Sequence, residues 1–242
     1  MRRVLASAAL QPCRAAMRRR HRRPLATTAA SDARDAALFQ TLVSEAREAS
    51  ECDDTTFSSG MDALLACENL FEAVAEVVSA KLARDVSDTR LPRAALRAMF
   101  LETLQGDERV GADVAAILER DPAAMTHLQC VAYFKGFHAI QAQRCAHAYW
   151  RRGGFENDHV SFALQDRVNE LFAVDAHPGA TIGGGCFMDH ATNVVIGETA
   201  EIGRDCTILH GVTLGGAGRA VSYTHLRAHE TKANLVCRLL LE

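Results

Sequence analysis

Asp189 and His190 are adjacent, and a carboxylate beside an imidazole is common equipment for moving a proton. A neutral imidazole has an unperturbed pKa of about 6.5, so near neutral pH it can take the proton of a hydroxyl that is otherwise a poor nucleophile. A second carboxylate on the far ring nitrogen would fix the tautomer and stabilise the imidazolium. Asp175 precedes His190 by 15 residues and is the candidate for that role. Gly215-Gly216 could bring backbone N–H groups close to a substrate or a developing oxyanion, where a Cβ would obstruct. Asp121, before Pro122, reads on its own as a plain helix cap or turn residue. His177, His190 and His210 could instead supply three imidazoles to a zinc ion at a subunit interface. His127, His138 and His147 fall within a long helical stretch and read as structural or surface histidines, with Tyr149 and Trp150 as packing residues.

The segment that must position these groups repeats. Ile182, Met188, Ile196, Ile202, Ile208 and Leu214 are spaced by 6, 8, 6, 6 and 6 residues, and Gly follows the aliphatic marker at Gly183, Gly197, Gly203 and Gly215. A period of six fits neither an α-helix nor a simple strand. It predicts a parallel β-helix, in which the aliphatic marker points inward and each short strand ends in a turn suited to a small residue. The step of 8 predicts a two-residue insertion in one coil. With a turn of about 18 residues, Asp175 and His190 stand close to one coil apart once that insertion is allowed for.

The segment resembles the left-handed β-helix of hexapeptide acyltransferases. The fuller resemblance is to serine O-acetyltransferase, carried by Asp175-Ala176-His177-Pro178, Asp189-His190-Ala191-Thr192, Gly197-Glu198-Thr199-Ala200 and Val212-Thr213-Leu214-Gly215-Gly216. Upstream, Tyr133-Phe134-Lys135-Gly136-Phe137-His138-Ala139-Ile140-Gln141-Ala142 is similar to that family's helical signature, and Asp121-Pro122-Ala123 precedes it at a matching distance. The resemblance implies acetyl transfer from acetyl-CoA, a co-substrate, to the hydroxyl of L-serine. The product is O-acetyl-L-serine, the precursor of cysteine, and no metal takes part. It makes His190 the general base and Asp175 its partner. Asp189 and Asp121 would pair with the ammonium of the amino acid, and Gly216 would be a substrate contact. It also implies a homo-oligomer, a trimer or a dimer of trimers built through the helical domain.

Residues 32–172 read as helical. Leu64, Cys67, Phe71, Val74, Val78 and Leu82 step by 3, 4, 3, 4 and 4, one helical face. Pro92 suits the first turn of the next helix, with Leu96, Met99 and Phe100 behind it, and Gly106 ends that segment. Val110–Arg120 predicts a short helix broken before Pro122. His127–Arg152 predicts a long one stopped at Gly153-Gly154, and Ser161–Phe172 the last before the coils. Helices first and coils afterwards define an α+β chain of segregated parts: a helical domain over 32–172 and an incomplete left-handed β-helix over 173–219.

The chain has 242 residues, 48% hydrophobic and 24% charged, an ordinary composition for a globular protein. No apolar run is long enough to span a membrane. Its 8 cysteines form no C-x-x-C pair and read as buried small apolar residues. The net charge of −3 hides an asymmetry. Residues 1–31 carry 8 arginines and no acid, which predicts an organellar transit peptide, mitochondrial rather than plastid by its arginine density; in a cytosolic protein the segment would have no such role. The remaining 19 basic against 30 acidic residues give about −11, no basis for a nucleic-acid surface.

After Val221 no hexapeptide register or turn glycine continues, and residues 220–242 resemble a translated sequencing adapter. Arg219-Ala220 stands where the family carries an Arg-His-Pro motif with a second catalytic histidine. The later coils of the family's acetyl-CoA groove are not in this sequence either. Nor is the tail that docks O-acetylserine sulfhydrylase and takes part in cysteine feedback. Two other readings follow: an inactive paralogue acting as a decoy or scaffold subunit, and a zinc enzyme of the γ-carbonic-anhydrase type using the three histidines above.

Overall fold

The computed structural model describes residues 29–51, 58–83, 91–215 and 225–226. The expected leader and most of the C-terminal tail lie outside the described residues. The helices are α1 (Ala29–Glu51), α2 (Ser58–Leu65), α3 (Leu70–Leu82), α4 (Arg93–Leu104), α5 (Arg109–Arg120), α6 (His127–Tyr133), α7 (Lys135–Arg152) and α8 (Phe155–Phe172). Eight short strands follow: β1 (Val174–Ala176), β2 (Thr181–Ile182), β3 (Phe187–Met188), β4 (Val194–Ile196), β5 (Glu201–Ile202), β6 (Thr207–Ile208), β7 (Thr213–Leu214) and β8 (His225–Leu226). No described helix is long and apolar enough to cross a membrane.

Two expected helices are each divided. The apolar face from Leu64 to Leu82 is interrupted because Asn69 caps α3, its side chain accepting from the Glu72 N–H at 3.0 Å. Glu72 Oε2 in turn accepts from the Glu68 N–H at 2.9 Å. This reciprocal arrangement is close to a capping box and satisfies two donors at a helix start. The stretch His127–Arg152 is split at Phe134, whose φ of −75° and ψ of 104° are extended. The split lets α7 begin against the coils. Its Gly136 packs so near the Met188 carbonyl oxygen that a Cβ there would lie 2.0 Å from it. α7 ends at Gly153 and Gly154 with φ of 71° and 93°, as the glycine pair predicts. α8 starts at Phe155, earlier than the expected Ser161.

The coils are a three-faced parallel β-helix. β1, β4 and β7 stack on the first face, β2, β5 and β8 on the second, β3 and β6 on the third. Partners stand 20 residues apart in the first coil (Val174 beside Val194) and 18 in the second (Val195 beside Thr213). The two additional residues fall between β3 and β4, where the sequence spacing slips. The six aliphatic markers point inward and are all buried. Beyond the expected end of the register, His225–Leu226 pair in parallel with Glu201 and Ile202 of β5.

A polar seam fixes the helices to the coils. Asp113 and Arg144 form an ion pair whose side chains are 0% and 1% exposed. Asp113 Oδ1 accepts from the Cys186 N–H at 3.0 Å, and Arg144 Nη2 donates to the Gly183 carbonyl at 2.6 Å. The pair therefore holds both ends of one turn between the second and third faces. Arg109 donates to the Ile182 carbonyl and Arg120 to those of Gly185 and Asp205. The apolar core is continuous from Leu42, Leu96 and Phe100 in the helices to Ile196 and Ile208 in the coils. Cys130, Cys145, Cys186 and Cys206 belong to it, as small apolar residues. Burial pushes the Cys130 and Cys145 thiols up to about 12, which removes them from thiolate chemistry.

Candidate active site

Residues 189–193 turn the chain from the third face to the first, and the insertion makes this corner unlike the others. His190, Ala191 and Asn193 take φ of 56°, 57° and 59°, the left-handed region. The Ala191 N–H donates to the Asp189 carbonyl and the Thr192 N–H to the His190 carbonyl, each at 2.6 Å, giving two tight turns in succession. The neighbouring backbone secures the corner. Asp189 N–H donates to Ile208, Gly211 N–H to Thr192, and Asn193 N–H to Ala173, each at 2.8 Å. Ala191 points inward and is buried. His190 consequently points outward, its side chain 73% exposed.

Two groups stand beside that ring. Asp189 Oδ1 is 3.6 Å from His190 Nε2. The His210 ring lies 5.8 Å from the His190 ring, edge-on at 61°. Sequence reasoning weighed His210 only as a metal ligand. The signal for its true neighbour was the 20-residue coil length, which stacks position 210 on position 190.

The other expected site residues are dispersed within a single chain. Asp175 stands in the middle of β1, and its Oδ1 accepts from Gln165 Nε2 of α8 at 2.6 Å; that bond, and not one to His190, orients the carboxylate here. Asp121 follows α5, and its Oδ1 accepts from the Ala123 N–H at 2.9 Å, the turn role foreseen as its plainer alternative. Its neighbour Arg120 grips the start of the third face, whereas His190 lies past the end of that face. Gly215 follows β7 at the far end of the first face, and Gly216 lies outside the described residues.

Among the described residues of one chain, the three histidines of the zinc reading do not form a cluster that could hold a metal ion. His177 occupies the turn between the first and second faces, away from His190 and His210. Its ring packs edge-on against Trp150 at 5.2 Å and Phe162 at 5.8 Å, and its Nδ1 accepts from the Gly179 N–H. The helical histidines have structural contacts. His127 meets Glu45 at 3.1 Å, His147 the Pro178 carbonyl at 2.8 Å, and buried His138 donates to the Val131 carbonyl at 2.7 Å.

An exposed imidazole with a carboxylate at its side, on a rigid coil, suits general-base catalysis on a hydroxyl. Residues 38–142 match the N-terminal domain of serine acetyltransferase. The chain is 44% identical over 161 residues to chloroplastic serine acetyltransferase 1 of Arabidopsis thaliana, covering 65% of this chain and 49% of that protein. Mitochondrial serine acetyltransferase 3 of the same plant is 44% identical over 161 residues, 65% of this chain and 39% of that protein. The chain thus spans about half the length, or less, of these curated relatives. Soybean serine acetyltransferase complexed with serine superposes with a TM-score of 0.71 at 35% identity, over 78% of this chain and 76% of that one. These solved neighbours share the helical domain and left-handed β-helix. The chain belongs to the serine acetyltransferase family.

Proposed function

We propose that this protein transfers the acetyl group of acetyl-CoA to the hydroxyl of L-serine, giving O-acetyl-L-serine and CoA. The observation that carries the reading is the His190 ring, presented to solvent beside Asp189 on the inserted corner of a family member. The imidazole takes the hydroxyl proton as the serine oxygen attacks the thioester carbonyl. Collapse of the tetrahedral intermediate expels the CoA thiolate, which takes the proton back. Asp189 stabilises the imidazolium between these steps and is placed to meet the substrate ammonium. Asp175 is assigned to orient the ring, and Asp121 and Gly216 to contact serine. The dispersal of these residues within one chain supports a site completed by other copies, in a trimer or a dimer of trimers. The test is direct: purified protein given both substrates should release CoA thiol together with O-acetylserine. Release of thiol without that product, or none at all, overturns the reading.

The acid-free segment 1–31, in a family with chloroplastic and mitochondrial members, supports an organellar location, and its arginine content the mitochondrion. A fluorescent reporter placed behind this segment should enter that organelle; a reporter left in the cytosol refutes the assignment.

A further inference from the structure

Lys135 and Gly136 are consecutive at the start of α7, and they touch the two ends of the His190 corner. Gly136 packs on the carbonyl of Met188, the residue before Asp189. Lys135 Nζ donates to Thr192 Oγ1 at 2.5 Å. The Thr192 hydroxyl in turn donates to the His190 carbonyl at 3.2 Å, the oxygen that also accepts from the Thr192 N–H. A hydroxyl that accepts from an ammonium becomes a stronger donor, so the chain from Lys135 to the His190 carbonyl reinforces itself. The bond it ends on is one that closes the left-handed turn at residues 190–192. Left-handed backbone at a residue with a Cβ persists only where its surroundings impose it.

We propose that Lys135 and Thr192 are positioning residues, which hold the His190 backbone in its left-handed turn and thereby aim the imidazole. The proposal rests on the assignment of His190 as the base. It gives the helical domain a part in catalysis that contacts neither substrate: the first residue of α7 sets the angle of a ring carried by the coils.

The experiment compares Lys135→Met, Thr192→Val, the double variant and Thr192→Ser in steady-state kinetics. It also follows the His190 ring by NMR of selectively labelled histidine in the full chain. Loss of aim of about 1 Å can cost up to about a hundredfold, so Thr192→Val should lower kcat at least tenfold with both KM values nearly unchanged. Lys135→Met should cost less. The double variant should be no worse than Thr192→Val alone, because the lysine acts only through the hydroxyl. Thr192→Ser, which keeps the hydroxyl, should recover most of the loss. Independent, multiplicative losses in the double variant overturn the proposal. So does a rise in KM at constant kcat for Lys135→Met, which would make the lysine a substrate contact. If Thr192→Val does not fold, Lys135→Met carries the test by the same readouts. If the unmodified protein makes no O-acetylserine, the acetyltransferase reading falls, and the NMR comparison decides the positioning: a displaced His190 resonance in Lys135→Met upholds it, an unmoved one overturns it.

Discussion

The base role proposed for His190 depends on a backbone held where a residue with a Cβ resists going. The left-handed conformation costs roughly 1–2 kcal/mol per residue, and His190 and Ala191 both adopt it. A positioned general base contributes about 10²–10⁴-fold, or roughly 3–5 kcal/mol of barrier, so the gain exceeds the strain at that residue. The two effects separate experimentally. His190→Ala removes the base and keeps the strained Cβ, whereas His190→Gly removes both. Each variant should lose about 10²–10⁴-fold in kcat. His190→Gly should nevertheless be the more stable of the two, by about 1 kcal/mol in urea unfolding. Equal stability would mean that the corner is not strained at this position; unchanged turnover in either would remove His190 as the base.

At the scale of elements, the seam between helices and coils depends on the buried pair of Asp113 and Arg144. Removing one member of such a pair leaves an uncompensated buried charge, at a cost of about 3–5 kcal/mol. Asp113→Ala leaves the buried Arg144 charge uncompensated, so it should cost more stability than Asp113→Leu combined with Arg144→Met, which orphans the same Cys186 N–H but leaves no charge behind. Thermal unfolding at fixed protein concentration would show it, and a double variant less stable than Asp113→Ala would contradict it. Nothing in the sequence marks this pair. Asp113 and Arg144 are 31 residues apart on different helices, each inside an ordinary amphipathic pattern. The coils were legible because one repeated constraint, an inward aliphatic residue, generates the whole element. Even the insertion beside His190 could be located, from the step between Met188 and Ile196. The divisions of the helices at Asn69 and Phe134 were not legible, because the apolar spacing runs on across both. A local cap decides the first, and the approach of Gly136 to Met188 decides the second. For the site, the sequence singled out His190 and its adjacent carboxylate, which stand together on an exposed corner. It could not supply the Gln165 bond that holds Asp175, which depends on how the end of α8 packs beside β1, or the lysine clasp, which comes from a helix 57 residues away in the chain.

For the whole molecule, the helical bundle carries an acid sensitivity that the coils do not need for their own packing. His138 is 0% exposed, with Phe137 and Phe172 rings about it and its Nε2 donating to the Val131 carbonyl. It therefore joins α6, α7 and α8. Burial lowers its pKa to about 4 against the pull of the Val131 carbonyl, and the nearby Lys81 lowers it further. The folded state thus prefers the neutral ring, while in the unfolded chain the ring titrates near 6.5. The stabilising preference is complete above about pH 6.5 and is lost as pH falls toward about 4, amounting to about 3 kcal/mol in all. Between about pH 7 and about pH 5 the loss should be roughly 2 kcal/mol. Asp107 works lower. Burial opposes its ionisation, but Arg109 outweighs burial and holds it below its ordinary 3.8, so its contribution disappears only beneath that value. Asp35 acts in the opposite sense, since burial raises it above 3.8 and protonation relieves the penalty. His138→Gln keeps an N–H donor for the Val131 carbonyl and cannot titrate. Urea unfolding at one fixed protein concentration should therefore show a steep fall in stability for the unmodified protein over this window and a nearly flat profile for His138→Gln. Parallel profiles would show that the ring is solvated or already charged in the folded protein, and acid unfolding would then have to begin elsewhere in the bundle.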